Sequence, residues 1–168
     1  MLSVETRHAI HQDHAKTMGT DELRRHFHVG GLFREGEIRL VYTHYDRFVM
    51  GGAVPGAGTL TLDKVEETRT ATFLERREMA IVNIGETGQV STDGNSWTLE
   101  RGDVLYIGRG AGAVTLGGPG RFYLLSAPAH ATHPTRLIKP ADARRVELGS
   151  KETANERVIE MTPPLLDA

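Results

Sequence analysis

The sequence predicts an all-β fold, a sandwich or closed barrel of short strands. Three observations carry that expectation. Strand-length runs rich in Val, Ile, Tyr and Phe recur from Glu37 to Ser126, bounded by turn residues. The turns are rich in glycine, 19 of 168 residues, and Asp93-Gly94 is a two-residue hairpin signal. The central stretch Phe73–Gly85, FLERREMAIVNIG, passes from four charges into the short apolar run Met79-Ala80-Ile81-Val82 and stops at a glycine. That is the pattern of a buried strand rather than a helix.

Composition bounds the rest. A chain of 168 residues suits one domain with a real core. Apolar residues at 39% and charged residues at 25% fit a globular chain rather than a disordered or membrane one. The net charge of −2 gives no reason to expect nucleic acid or an anionic membrane as partner. There is no Cys, and the first residues, MLSVETRHAIHQDHAK, lack the apolar core of a signal peptide. A cytoplasmic location is therefore expected.

Taken in order, residues 1–30 read as a helical or irregular arm. Thr20 can cap a short helix through Phe27, with Asp21 and Glu22 at its positive end and Leu23 and Phe27 on one face. His8, His11 and His14, three apart, would share part of a helix circumference, which admits either a metal site or a polar arm packed on the barrel. Residues 31–138 carry the barrel. From Glu37, EIRLVYTHYDRFVMGG alternates as a single strand, placing His44 and Asp46 on one face. A carboxylate beside an imidazole can orient a general base, or simply tie down a barrel rim. A loop from Gly51-Gly52 precedes the strand Thr59–Leu62, and Lys64–Thr70 turns or runs along an edge. Then comes a meander: Gln89–Thr92, the Asp93-Gly94 turn, Ser96–Leu99, Val104–Ile107, Ala113–Leu116 and Phe122–Ser126. Residues 139–168 form an extension and the start of a connection, with Pro140 opening a short helix through Arg145. The tail ends on Thr162-Pro163-Pro164-Leu165-Leu166, as a chain stopped inside a linker would.

The spacing Glu78-x6-Gly85 is the back half of the first sequence motif of cupin barrels. This resemblance implies a cupin-like jelly-roll barrel. The His-x-His that should precede the Glu falls on Thr72 and Leu74, or on Ala71 and Phe73. In the second motif, after Gly102-Asp103, the Pro position holds Gly108 and the His position holds Ala113. Only Glu78 of the usual ligand set is left, whereas a catalytic metal needs about three protein ligands. No bound metal is expected in this barrel.

Several stretches together resemble the 4-deoxy-5-hexosulose-uronate (5-keto-4-deoxyuronate) ketol-isomerases of pectin and uronate breakdown. They are His11–Lys16, Tyr42–Arg47 running on to Gly51-Gly52, Phe73–Glu78, Val82–Gly85, Leu105–Gly108 and Ser126–His130. The resemblance implies a tandem of two cupin barrels in a homo-oligomer, with zinc in the second barrel on a His-x-His, a Glu and a further His. This chain matches the first barrel and the start of the linker only; its last histidine is His133. The reaction implied moves a proton between adjacent carbons through an enediol.

Two roles then stand open for the charged residues. Arg47, Arg76 and Arg77 can pair with a uronate carboxylate. Alternatively Glu75, Arg76, Arg77 and Glu78 form an ion-pair network between barrels or subunits. Two functions also stand open: part of a ketol-isomerase that works only with its zinc-binding second barrel, or a stand-alone degenerate cupin that binds a sugar acid or acts in assembly. His44, Asp46 and His130 are the catalytic candidates if the barrel turns over without metal.

Overall fold

Residues Arg77–Asn83 alternate buried and half-buried side chains without a break. One face of this strand is thus committed to the core, and its register cannot slip by one without exposing it. The computed structural model of the chain describes residues 1–148 and 156–160. In chain order the elements are β1 (Leu2–Arg7), α1 (Gln12–Ala15), α2 (Thr20–Phe27), β2 (Glu37–Thr43), β3 (Val49–Val54), β4 (Thr59–Leu62), a 3-10 turn (Glu66–Thr68), β5 (Arg77–Asn83), β6 (Gly88–Thr92), β7 (Asn95–Leu99), β8 (Val104–Ile107), β9 (Val114–Gly117), β10 (Phe122–Pro128), β11 (Arg136–Ile138), a second 3-10 turn (Pro140–Asp142), β12 (Arg144–Leu148) and β13 (Glu156–Glu160).

Seven strands form one sheet in the order β1-β2-β3-β10-β5-β8-β11, and four form the other, β4-β9-β6-β7. The inner faces of the two sheets enclose a single core that includes Ile38, Leu40, Met79, Ile81, Leu105 and Phe122 from the large sheet, with Leu62, Val90, Leu99 and Leu116 from the small one. The result is an all-β, cupin-like jelly roll. Each of these side chains contributes about 1.5–3 kcal/mol by leaving water. The Asp93-Gly94 turn closes β6 onto β7 with Thr92 opposite Asn95. Both turn residues have positive φ, 50° and 76°, which matches the right-handed twist of the flanking strands.

Polar groups fix the ends of the core. Asn83 is fully buried. Its Nδ2 donates to the carbonyls of Glu86 (2.7 Å) and Leu99 (2.8 Å), and its Oδ1 accepts from the amides of Gly85 (3.0 Å) and Arg121 (3.2 Å). One side chain thereby pins the exit of β5 to the end of β7 and the entry of β10.

Several local expectations are revised. The strand foreseen from Glu37 to Gly52 is two strands, β2 and β3, folded back on each other. Gly51 and Gly52 lie within β3 rather than in a loop, where glycine serves a close approach: a Cβ at Gly51 would stand 2.5 Å from both the Arg39 carbonyl oxygen and Leu40 Cδ2. The N-terminal arm is not wholly helical or irregular: β1 extends the large sheet, parallel to β2 with Leu2 opposite Ile38. The helix foreseen from Thr20 does run to Phe27, but its cap is Gly19, without a side-chain bond. The helical C-terminal extension is replaced by one 3-10 turn and the antiparallel pair β12–β13. Proline set the first turn as expected, but the β-branched Val146 and Val158 that face each other in the register favour strand. The stretch Thr162–Leu166 lies outside the described residues.

Gly108 serves a close approach. A Cβ there would collide with the His133 carbonyl, which crosses directly above it. Asn83→Ala removes four hydrogen bonds, leaving the buried Leu99 carbonyl, the Glu86 carbonyl and the amides of Gly85 and Arg121 without that partner. It is expected to cost at least about 3 kcal/mol in urea unfolding at unchanged fold; a cost below 1 kcal/mol (about what one ordinary hydrogen bond contributes) would show that Asn83 is not the tie described.

Candidate functional site

The turn joining β2 to β3 has no glycine, yet Asp46 and Arg47 both take positive φ, 50° and 56°. Asp tolerates that region through its short polar side chain, whereas an Arg there is strained by about 1 kcal/mol or more. Two anchors hold the turn. Thr43 Oγ1 donates to the carbonyls of Tyr45 (3.1 Å) and Phe48 (2.9 Å). From the barrel interior, Arg77 Nη2 donates to the Arg47 carbonyl at 2.6 Å. Opposite this turn lies the Glu66–Thr68 3-10 turn, which ends on Arg69, again with positive φ (54°). Thr68 Oγ1 donates to the Val65 carbonyl at 2.7 Å, and Thr70 Oγ1 donates to the Thr72 carbonyl at 2.7 Å.

Between these two strained turns opens a cavity of about 550 Å³, lined by Thr6, Tyr42, His44, Arg47, Glu66, Glu67, Thr68 and Arg69. His44 is fixed on two sides. Its ring stacks on His8 from the arm, with centroids 4.6 Å apart and planes within 8°. Tyr42 meets it edge-on at 5.5 Å. Glu66 is paired with Lys64 at 2.9 Å, and that bond holds the Lys64 ammonium above its ordinary pKa. Arg47, Glu67 and Arg69 form no ion pair among the described residues.

Behind this cavity sits the least expected residue of the chain. Arg77 occupies an interior position of β5 and is 4% exposed. Its Nε donates to Ser126 Oγ (3.1 Å), and its Nη2 donates to the Ser126 carbonyl (2.9 Å) as well as to Arg47. Its guanidinium lies over the Phe73 ring, 5.6 Å from the centroid. No carboxylate pairs with it among the described residues. Burial pushes its pKa down to about 10, with Tyr42 opposing the shift and the nearby Arg47 cation adding to it. It is still charged at neutral pH.

This placement corrects the motif reading. Strand alternation that turns Arg77, Met79 and Ile81 inward turns Glu78 outward. Glu78 therefore does not stand where a cupin metal ligand would. It accepts a hydrogen bond from Tyr106 Oη at 2.8 Å on the outer side of the sheet, beside a hollow of about 210 Å³. Burial, and then the contact with Glu78, push the Tyr106 hydroxyl well above its ordinary pKa. Among the described residues the Glu75–Glu78 run makes one ion pair, Glu75 with Arg76. Glu75 accepts from the Ala71 amide at 2.8 Å and lies 3.4 Å from Arg76, which is 75% exposed.

The catalytic candidates are not brought together. His44 lines the cavity, but the chain turns at Asp46, and no hydrogen bond or ion pair joins the two. His130 is exposed beyond β10; its carbonyl accepts from Arg109 at 3.4 Å, and it does not line the cavity. The three N-terminal histidines part company, since α1 begins only at Gln12. His8 stacks on His44, the His11 ring accepts from the Asp13 amide, and His14 faces Glu22. Arg69 and Glu67 were not foreseen; the one local hint is that Arg69 lies between two threonines, residues whose hydroxyls brace turns.

The donor set inside the barrel does not fit a metal. Buried polar residues among those described are Thr43, Arg77, Asn83, Thr92, Asp103 and Ser126. They include no histidine. The one carboxylate, Asp103, is engaged with the Glu100 amide at 2.9 Å. An interior guanidinium further disfavours a divalent cation.

Comparison with known proteins follows the same lines. The family model for the KduI/IolB family matches residues 26–164. A 4-deoxy-L-threo-5-hexosulose-uronate ketol-isomerase of Agrobacterium fabrum is 62% identical over 159 residues, covering 95% of this chain and 58% of that protein. Proteins of the same name from Cereibacter sphaeroides (59% identical, 95% and 58% covered) and Formosa agariphila (42% identical, 92% and 57% covered) align similarly. The chain thus spans a little over half the length of the curated relatives it matches. Among solved structures, an IolB-like protein from Salmonella typhimurium LT2 superposes with a TM-score of 0.53 at 16% identity, over 69% of this chain and 44% of that one. That likeness supports the fold alone. No helix among the described residues is long and apolar enough to cross a membrane.

Arg77→Lys keeps the charge but cannot reproduce a planar fork reaching Ser126 and Arg47 together. It is expected to destabilise the chain by about 1–3 kcal/mol in chemical denaturation. Unchanged stability would show that the fork is dispensable.

Proposed function

Because this chain belongs to the KduI/IolB family, we propose that it is the first, metal-free barrel of a 5-keto-4-deoxyuronate ketol-isomerase of uronate catabolism. On this reading it works in the cytoplasm, within a homo-oligomer, beside a second barrel that carries the zinc and the chemistry. The observation that carries the reading is the interior of β5. A guanidinium stands among apolar side chains there, and among the described residues no set of imidazoles or carboxylates faces it.

The proposed reaction shifts a proton between adjacent carbons through an enediol. It needs a base within hydrogen-bond reach of that proton and positive charge at the developing oxyanion. In this barrel the base is the wanting part. His44 is clamped between His8 and Tyr42, and neither Asp46 nor His130 orients it. The residues that fit a substrate are those that bind and position an anion, Arg47 above all. Glu75, Arg76 and Glu78 lie outside the core and suit contacts with the second barrel or with other subunits.

The purified chain, its fold checked by circular dichroism, is expected to show no turnover of 4-deoxy-L-threo-5-hexosulose uronate, with or without added zinc. Zinc-dependent turnover would overturn the metal-free assignment. Turnover without metal would transfer the chemistry to His44.

A further inference from the structure

We propose that the stacked pair of His8 and His44 is an acid-sensitive latch. It holds residues 8–16 of the arm on the barrel at neutral pH and releases them when both rings carry a proton. This does not rest on the isomerase reading, because it concerns how the arm docks and not turnover.

The geometry of the pair comes first. The rings lie face to face, 4.6 Å between centroids and 8° between planes. Neutral imidazoles so placed cover one another's apolar faces, whereas two imidazolium cations repel. Imidazole is also the side chain that ordinarily changes charge between pH 5 and 8. Both rings are exposed, so the repulsion is that of charges in water. At this separation it shifts an equilibrium by about fivefold. A released arm solvates each ring separately and binds more protons than the docked one, so acid favours release. The surroundings do not cancel the second charge. Among the charged residues lining the cavity with His44, Arg47 and Arg69 are cations, Glu66 is paired with Lys64 at 2.9 Å, and Glu67 is the one carboxylate without an ion pair among the described residues. Asp46, next in the turn, makes no ion pair with either ring, and the buried Arg77 stands behind on the Arg47 carbonyl. From β1, Arg7 is matched by Glu5 at 2.8 Å. Tyr42 meets His44 edge-on, and a ring edge is electropositive.

The segment is held lightly and bounded firmly. Just past β1 the stack is joined by one bond to the barrel, from the Ile10 amide to Tyr45 Oη at 2.8 Å. Helix α1 buries no residue. Elements with so few buried contacts open at low cost. On one side β1 stays paired with β2 through Arg7, and Arg7 Nη1 donates to the carbonyls of His26 (3.3 Å) and His28 (2.9 Å) at the end of α2. On the other side Met18 is buried. Release is therefore confined to the stretch between. The contacts of His11 with Asp13 (3.6 Å) and His14 with Glu22 (3.7 Å) strengthen in acid, but both lie within the arm and do not tie it to the barrel. Release bares one face of His44, which lines the cavity.

Hydrogen exchange of the Ile10 amide in the intact chain tests the proposal, since its protection reports the ratio of docked to released arm. At low salt, and corrected for the intrinsic effect of pH on exchange, protection is expected to fall by about fivefold between pH 7.5 and pH 5.0. The amides of β5 should keep theirs. Salt at 1 M, with a screening length of about 3 Å, should suppress most of the acid response. His8→Phe keeps an aromatic face that takes no proton and can cover an imidazolium, so its Ile10 should stay protected at both pH values. His8→Ala, with no ring to stack, should show low protection at both. Neither substitution touches the core, and circular dichroism checks the fold. Protection that does not change with pH, an acid response that survives in His8→Phe or His8→Ala, or a parallel loss at β5 would each overturn the latch.

Discussion

A buried cation, paired with no carboxylate among the described residues, organises this barrel. Arg77 enters the core on the strand that alternation commits inward, and it cannot leave without turning Met79 and Ile81 out with it. Once inside, it must find acceptors. It finds them on β10 through Ser126 and on the β2–β3 turn through Arg47. Those bonds fix a turn that the local backbone would not choose, with two non-glycine residues at positive φ. The strained turn in turn forms one wall of the cavity. The cavity geometry is thus a consequence of a desolvation problem two strands away.

On the proposed metal-free reading, the same residue supplies the interior order that coordination would otherwise give. A barrel that converges imidazoles on a cation gains order from coordination. Here the ordering charge is covalently part of the chain. It is held by neutral acceptors and by an aromatic face, Phe73, which a divalent ion could not use in the same way. The outer side of β5 tells the complementary story: Glu78 takes the Tyr106 hydroxyl instead of a ligand role, at a position where it remains half-exposed.

Much of the fold was legible because it depends on short-range pattern. The Asp93-Gly94 hairpin, β4, β8 and the β9–β10 stretch carry alternation and turn residues that need no tertiary information. What was not legible depends on partners distant in the chain. The alternation of Leu2–Arg7 becomes a strand only because β2 offers it an edge. The β2–β3 turn carries none of the usual Gly, Pro or Asn punctuation, since its strain is relieved by Arg77 and Thr43 rather than by composition. The Glu78-x6-Gly85 spacing matched a motif, but spacing along the chain does not report which face a residue takes. Of the residues lining the cavity, Arg47 and His44 were candidates on sequence alone. Arg69 and Glu67 were not, because the 3-10 turn that presents them is set by threonine hydroxyls and by packing.

The order of the large sheet has a consequence for how the protein is made. β10 lies between β3 and β5 and supplies the hydrogen-bonding neighbour of both. A ribosome delivers Val49–Val54 and Arg77–Asn83 well before Phe122–Pro128. At about 5–20 residues per second the two central strands wait several seconds with an unpaired apolar edge apiece. Arg77 is released from the tunnel in the same interval, before Ser126 exists to receive it. The nascent chain therefore passes through a window in which its stickiest strands are unprotected, and it closes only when a late segment slides between two early ones. Such a topology favours slow, non-local folding.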